Sequence, residues 1–189
     1  MPTPTTSGLL ELLASASRGM AAGVAVRPSA VLSGASCKLP GGISSARALS
    51  AVASTAHVAV GQVPPSRWAA RELPTWLSPV TARRTWHGAF VSAAEHFDAA
   101  HFHVSAMEAE AMDPQQRLTL ETSYAALHGS GLQKPALLGC GAGVALGICW
   151  AEFAQILASG PLARSVYSAT GAALSIASGR VSYALGLQG

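Results

Sequence analysis

The side chains best suited to covalent chemistry in this sequence are three cysteines, Cys37, Cys140 and Cys149. A cysteine attacks as its thiolate, which needs a helix N-terminus or a nearby cation to lower its pKa. An odd count with wide spacing argues against a secreted disulfide framework, and no C-x-x-C pair offers a zinc site of that kind. The second chemical set is His96, His101 and His103, close in sequence to Glu95 and Asp98. Imidazole and carboxylate are both metal ligands, but His101 and His103 share a face only if the segment is extended. His57, His87 and His128 are isolated and are expected at the surface.

The elements that must position these groups are marked by their start and stop signals. Leu39-Pro40-Gly41-Gly42 reads as a turn, and Ala46–Ala53 as a short helix with Leu49 and Val52 on one face. Residues 64–88 hold four prolines and three tryptophans (Trp68, Trp76, Trp86) and are expected to form a long irregular surface loop. Ser92 and Glu95 have the spacing of a capped turn. Ser105 and Glu108 repeat it before a short helix over 106–112. Asp113 then suits an N-cap, Pro114 the first helical position and Gln116 the third. Leu120, Tyr124 and Leu127 make one apolar stripe, and Gly129 and Gly131 end the helix. Val144–Ile148 is expected to be a buried strand bounded by glycines, Phe153–Ala158 a helix, and Gly171–Tyr183 one further helix rich in small residues. No internal repeat is visible. Helices alternating with a glycine-bounded strand suit an α/β fold.

Four of these stretches, in order, resemble one family. Cys37-Lys38-Leu39-Pro40-Gly41-Gly42 is similar to "CRFPGG", and Val63-Pro64-Pro65-Ser66-Arg67-Trp68 to "VPxxRW". His101 to Leu118, completed by Glu121, resembles "FFxIS…EAxxMDPQQRxxLE". Ala169-Thr170-Gly171 through Gly189 resembles "ATGxxxSxxxGRxSYxLGLxG". The family is that of the β-ketoacyl synthases, in the style of polyketide and type I fatty-acid synthases, and the resemblance covers residues 35–189.

The resemblance implies a thiolase-like α/β fold, of which this chain supplies an incomplete first half. It implies an acyltransferase that moves an acyl group from a carrier protein onto a cysteine and condenses it with a decarboxylating malonyl unit, assisted by two histidines. The substrates ride on the phosphopantetheine of an acyl carrier protein, no cofactor is bound, and the domain pairs as a homodimer. In the family the nucleophile lies in a "DTACSS" elbow just after "LGLxG", and the histidines come later. The expectation is therefore a chain cut before the nucleophile, inactive alone, with no catalytic, cofactor or metal residue of its own. The alternative is a non-catalytic truncated paralogue that serves as an interaction or dimerisation partner.

Under this resemblance Cys37 sits in a turn motif where the cysteine is not the nucleophile, and Cys140 and Cys149 match no catalytic position. All three are read as buried or inert thiols. The family carries Phe and Gly where His101 and His103 stand. Asp113 is read as a cap, and Arg117 as a forked tie from its helix to a neighbouring loop. Arg180 is read likewise, on a helix that packs near the family's dimer interface. After Trp68 the family's "YDPD…GKxYxRxGGF" stretch is absent, and His87-Gly88 stands where "GG" is usual, so the acyl-channel entrance is expected to differ.

Composition narrows the remaining classes. Half of the 189 residues are hydrophobic and only 11% are charged, which allows one sizeable core and leaves little polar surface. Such a chain hides apolar surface against something else. The net charge of +3 comes from scattered Lys and Arg residues, which argues against nucleic-acid binding. Residues 1–34 combine Glu11, Arg18 and Arg27 with many Ala and Ser, and are read as a disordered leader or a transit peptide. The expected compartment is the cytoplasm, or a plastid if the leader is a transit peptide. The uncharged run between Lys134 and Glu152 is glycine-broken and shorter than the roughly 20 residues a spanning helix needs, so no membrane span is expected.

Overall fold

A computed structural model describes residues 31–67 and 76–188. Most of the leader segment, Trp68 and Gly189 lie outside the described residues.

Two helices organise the core. Helix α4 (Pro114–Gly129) starts where the Asp113 carboxylate accepts the backbone N–H of Gln115 at 2.7 Å, with proline at N1. It ends at Ser130, after which Gly131 takes a φ of 84°. Leu120 is fully buried, with Tyr124 and Leu127 packed beside it, so the predicted stripe faces inward. Helix α8 (Ile176–Leu185) lies against α4 and buries Ala177, Val181, Ala184 and Leu185. Phe102 and Met112 complete the cluster. Each such large side chain removed from water contributes roughly 1.5–3 kcal/mol. The helix leaves through Gly186 at φ 72°, where a Cβ would stand 2.5 Å from the Leu138 side chain.

The smaller elements hang on this pair. Helix α1 (Ala46–Ser54) is capped by Ser45, and α3 (Ala106–Ala111) by Ser105, whose hydroxyl accepts the Glu108 N–H at 3.2 Å. Pro40–Gly42 forms a 3₁₀ turn through Gly41 at φ 79°, closed by a bridge between Leu39 and Ile43. The predicted turn and short helices are therefore present. Helices α5 (Lys134–Leu137), α6 (Phe153–Ser159) and α7 (Ser168–Ala172) follow α4.

Three expectations are corrected. Within 64–88 the described part is not irregular: Pro79–Thr85 is helix α2, and β1 (Gly61–Gln62) pairs antiparallel with β2 (His87–Gly88). Ser78 caps α2 by accepting the Thr81 N–H at 3.1 Å, with Pro79 at N1. That Ser-Pro start signal outweighs the local density of proline and tryptophan.

Val144–Ile148 is not a strand among the described residues. Burial along it still alternates as in a strand, and Val144 and Leu146 face the core, but it has no ladder partner among the described residues. The one long helix expected over 171–183 is two, α7 and α8, parted at Ala173, whose ψ of 115° is extended. The side-chain amide of Gln116 stabilises this break. It donates to the carbonyls of Thr170, Gly171 and Ala173 at 3.3, 3.0 and 3.1 Å, which an uninterrupted helix would use internally.

Candidate functional site

Four clamps tie the sequence motifs to one another or to residues 91–95. Lys38, in the 3₁₀ turn motif, reaches Glu121 on α4 at 3.1 Å and the Ala93 carbonyl at 3.2 Å. Arg67 donates to the Val91 carbonyl at 2.9 Å and lies 3.6 Å from Glu95. The start of α4 docks on α7: the Asp113 N–H donates to the Gly171 carbonyl at 3.0 Å, beside the Gln116 amide. Arg180 on α8 pairs with Glu108 on α3. The motifs thus fold into one scaffold.

Gly171 explains why the third clamp needs glycine. A Cβ there would lie 1.9 Å from the Ala111 carbonyl oxygen. Gln115 adds a strut, donating to Asp113 and, at 2.9 Å, to the Trp150 carbonyl. At the fourth clamp, Glu108 and Arg180 border an open recess of about 520 Å³, whose other walls include Tyr167, Thr170, Ile176 and Gly179. Val166 and Tyr183 stand exposed at its rim. The recess offers apolar walls and one charge pair, and no cysteine or histidine lines it. It can hold a chain or a side chain; it carries no nucleophile.

The cysteines and histidines that suggested chemistry are dispersed or engaged in other contacts. Cys37 is half-buried, while Cys140 and Cys149 are exposed, and all three are free thiols; of the buried-or-inert reading, burial does not hold for the latter two. His101 packs edge-on against Phe102 and Tyr124, with ring centroids 4.9 and 4.5 Å apart. His103 adopts φ 56° and faces the Lys134 ammonium at 3.1 Å. The segment is a set of turns, not extended. Among the described residues no group of three or more His, Cys, Asp or Glu side chains could hold a metal ion. His57, His87 and His128 are exposed.

Asp113 caps α4 as read from the sequence, although it is almost fully buried. The forked tie expected of Arg117 is not formed: its Nε is buried with no partner among the described residues. Gln116 makes the inter-element contact instead. The sequence pattern places it only as a third helical position. The overlooked signal is that a second glutamine in Gln115-Gln116 faces the core at i−4 from Leu120. The carboxyl of Glu95 is held below the usual glutamate range, first by a hydrogen bond from its own backbone N–H and then by Arg67, His96 and Lys38. Desolvation opposes the shift.

Comparison with known proteins gives this scaffold its class: it is part of a thiolase-like ketosynthase fold. The ketosynthase from module 6 of the bacillaene synthase from Bacillus subtilis 168 superposes with a TM-score of 0.63 at 28% identity, covering 82% of this chain and 24% of that one. The oxazolomycin ketosynthase domain OzmH KS7 of Streptomyces albus JA3453 gives 0.66 at 25% identity, covering 84% and 28%.

The family Beta-ketoacyl synthase, N-terminal domain, matches residues 29–189. The Mycocerosic acid synthase-like polyketide synthase of Mycolicibacterium smegmatis is 37% identical over 166 residues, 87% of this chain and 8% of that protein. Polyketide synthase GfsE of Streptomyces halstedii is 38% identical over 169 residues, 89% and 4%. The chain belongs to the β-ketoacyl synthase family and represents its N-terminal domain, of the polyketide synthase type. It spans less than a tenth of the length of these two relatives. Among the described residues no helix is long and apolar enough to cross a membrane.

Proposed function

We propose that this chain supplies the N-terminal part of a ketosynthase that condenses acyl and malonyl thioesters with loss of carbon dioxide, in polyketide or fatty-acid biosynthesis. The substrates arrive on the phosphopantetheine arm of an acyl carrier protein, and the domain works as a homodimer in the cytoplasm. The observation that carries this reading is the set of side-chain clamps that joins three of the family motifs and ties the other, through Arg67, to residues 91–95, above all Asp113 and Gln116 on Gly171. Such a scaffold fixes where α8 ends and in which direction Gly186 sends the chain.

Condensation needs a thiolate nucleophile and preorganised donors for the developing oxyanion. The 189 residues contain no Asp-Thr-Ala-Cys sequence, and the recess carries no substitute for it. The polypeptide 1–189 alone is therefore inactive in condensation. The test is a chimera in which residues 35–189 replace the matching part of a polyketide ketosynthase. The chimera should condense acyl and malonyl carrier proteins, while 1–189 alone should not. A folded, dimeric chimera without activity, or an active isolated chain, would overturn the reading.

A further inference from the structure

Helix α1 (Ala46–Ser54) buries none of its residues, and Arg47 is its one charged side chain. Arg47 and Ser50 are both exposed, and at i and i+3 they are neighbours on the helix surface. With Ala46, Ala51 and Ser54 they line an open recess of about 420 Å³. These small neighbours leave room for a group larger than a hydroxyl.

The hydroxyls at the two ends of α1 are engaged. Ser45 caps it by accepting the Ala48 N–H at 3.2 Å, while Ser54 and Thr55 donate to the Ala51 carbonyl at 2.8 and 3.0 Å. The Ser50 hydroxyl has no hydrogen bond among the described residues, and Arg47 has no ion pair among them. No Asp or Glu lies between Glu11 and Glu72 in the sequence. A free hydroxyl and an uncompensated guanidinium therefore share one surface, one turn apart. The spacing is also selective: Arg47 alone among the arginines has a serine or threonine three residues on. An arginine at that distance is what one broad class of protein kinases reads, through carboxylates that bind its fork. A kinase cleft takes its substrate extended, so α1 must open locally. Opening costs little for a helix of 9 residues that holds nothing in the core.

We propose that Ser50 is a phosphorylation site, read through Arg47 by an arginine-directed serine/threonine kinase with ATP as the phosphoryl donor. The Ser50 Oγ attacks the γ-phosphorus, the bond to the β,γ-bridging oxygen breaks, ADP leaves, and the hydroxyl proton passes to the kinase's base. The phosphate adds about −1.5 to −2 charges at neutral pH, which reverses the sign of a helix whose one charge is Arg47. Once α1 reforms, Arg47 at i−3 is placed to bind the phosphate oxygens. The inference stands apart from the condensation reading, since it involves neither thiol nor thioester.

The test incubates the folded chain 1–189 with the catalytic subunit of cAMP-dependent protein kinase, magnesium and radiolabelled ATP. Phosphopeptide mass spectrometry reads the site, and the label reads the initial rate. Ser50 should be the principal phosphorylated residue. Ser50→Ala should lose about tenfold or more of the incorporation, and Arg47→Ala should slow Ser50 labelling by about tenfold or more, with Arg47→Lys restoring part of it. Both alanine variants place a better helix former at an exposed helical position, so both stay folded, which circular dichroism checks. Arg164→Ala, on the surface elsewhere, should be labelled as the unaltered chain is. An acid-directed kinase of the casein kinase type should leave Ser50 unmodified. The proposal fails if another serine or threonine takes most of the label, if Arg47→Ala is labelled at the unaltered rate, or if Ser50 is labelled only after thermal unfolding.

Discussion

The side-chain amide of Gln116 and the backbone N–H of Asp113 both donate to the carbonyl of Gly171, each at 3.0 Å. Two donors on one carbonyl hold the first turn of α4 against the end of α7, across 55 residues of chain. The approach is this close because Gly171 has no β-carbon.

Gly171→Ala should therefore be severely destabilising. The added methyl would sit 1.9 Å from the Ala111 oxygen, and backbone on both sides must move. The expected loss is about 3 kcal/mol or more, or failure to fold, read from the urea midpoint. Gly179→Ala is the control. It too lies in a helix, but its Cβ would meet nothing within 4 Å, so helix propensity should raise stability by up to about 1 kcal/mol. Equal effects at the two glycines would show that close packing is not the reason for Gly171.

Sequence patterns expose some of this scaffold and hide the rest for physical reasons. Asp113, Pro114 and the Leu120 stripe are readable because caps and helical periodicity are local properties. The Gln116 clamp is not, since its partners lie in Thr170–Ala173 and only the fold brings them near. Val144–Ile148 has the composition and the alternating burial of a strand, yet a strand also needs a neighbour, and none pairs with it among the described residues. The break at Ala173 leaves no mark in the sequence because small residues suit a helix interior as well as a junction. Helix α2 has a clear Ser78-Pro79 start; the surrounding prolines and tryptophans mask it.

The pair of Arg180 and Glu108 is partly buried, with side-chain exposures of 10% and 24%. Removing one partner strands the other's charge where water is scarce. Glu108→Gln should cost about 2–3 kcal/mol, and Arg180→Met a similar amount. The double variant should cost less than the sum of the two, because it leaves no lone charge. A double-mutant cycle by chemical denaturation measures this, and additive losses would contradict the coupling.

The depressed pKa of Glu95 gives a pH signature with a definite sign. A carboxyl held lower in the folded state stabilises above its unfolded pKa, and that contribution fades as the pH falls through the folded value. Its own backbone N–H is the main cause and Arg67 the chief charge. An NMR titration should place Glu95 below the ordinary glutamate midpoint. Arg67→Ala should move the midpoint up only part of the way, since the backbone bond persists, and added salt should mimic that variant. A midpoint in the ordinary range for the unaltered chain would contradict the assignment.

His103 holds a φ of 56°, a region that side chains with a β-carbon occupy at a cost of roughly 1–2 kcal/mol. His103→Gly removes that strain. Two smaller effects oppose the gain: glycine loosens the unfolded chain by about 0.4–1 kcal/mol, and the exposed contact from the Lys134 ammonium to His103 Nε2, at 3.1 Å, is lost at a cost of a few tenths. The net expectation is a stabilisation of about 0.5 kcal/mol. His103→Ala keeps the β-carbon and loses the lysine contact, so it should fall below the unaltered chain. Thermal or urea unfolding should therefore rank glycine above histidine and histidine above alanine. Alanine equal to glycine would show that the backbone at 103 relaxes freely, and that the turn which presents His101 to Tyr124 is set by packing rather than by the conformation of residue 103.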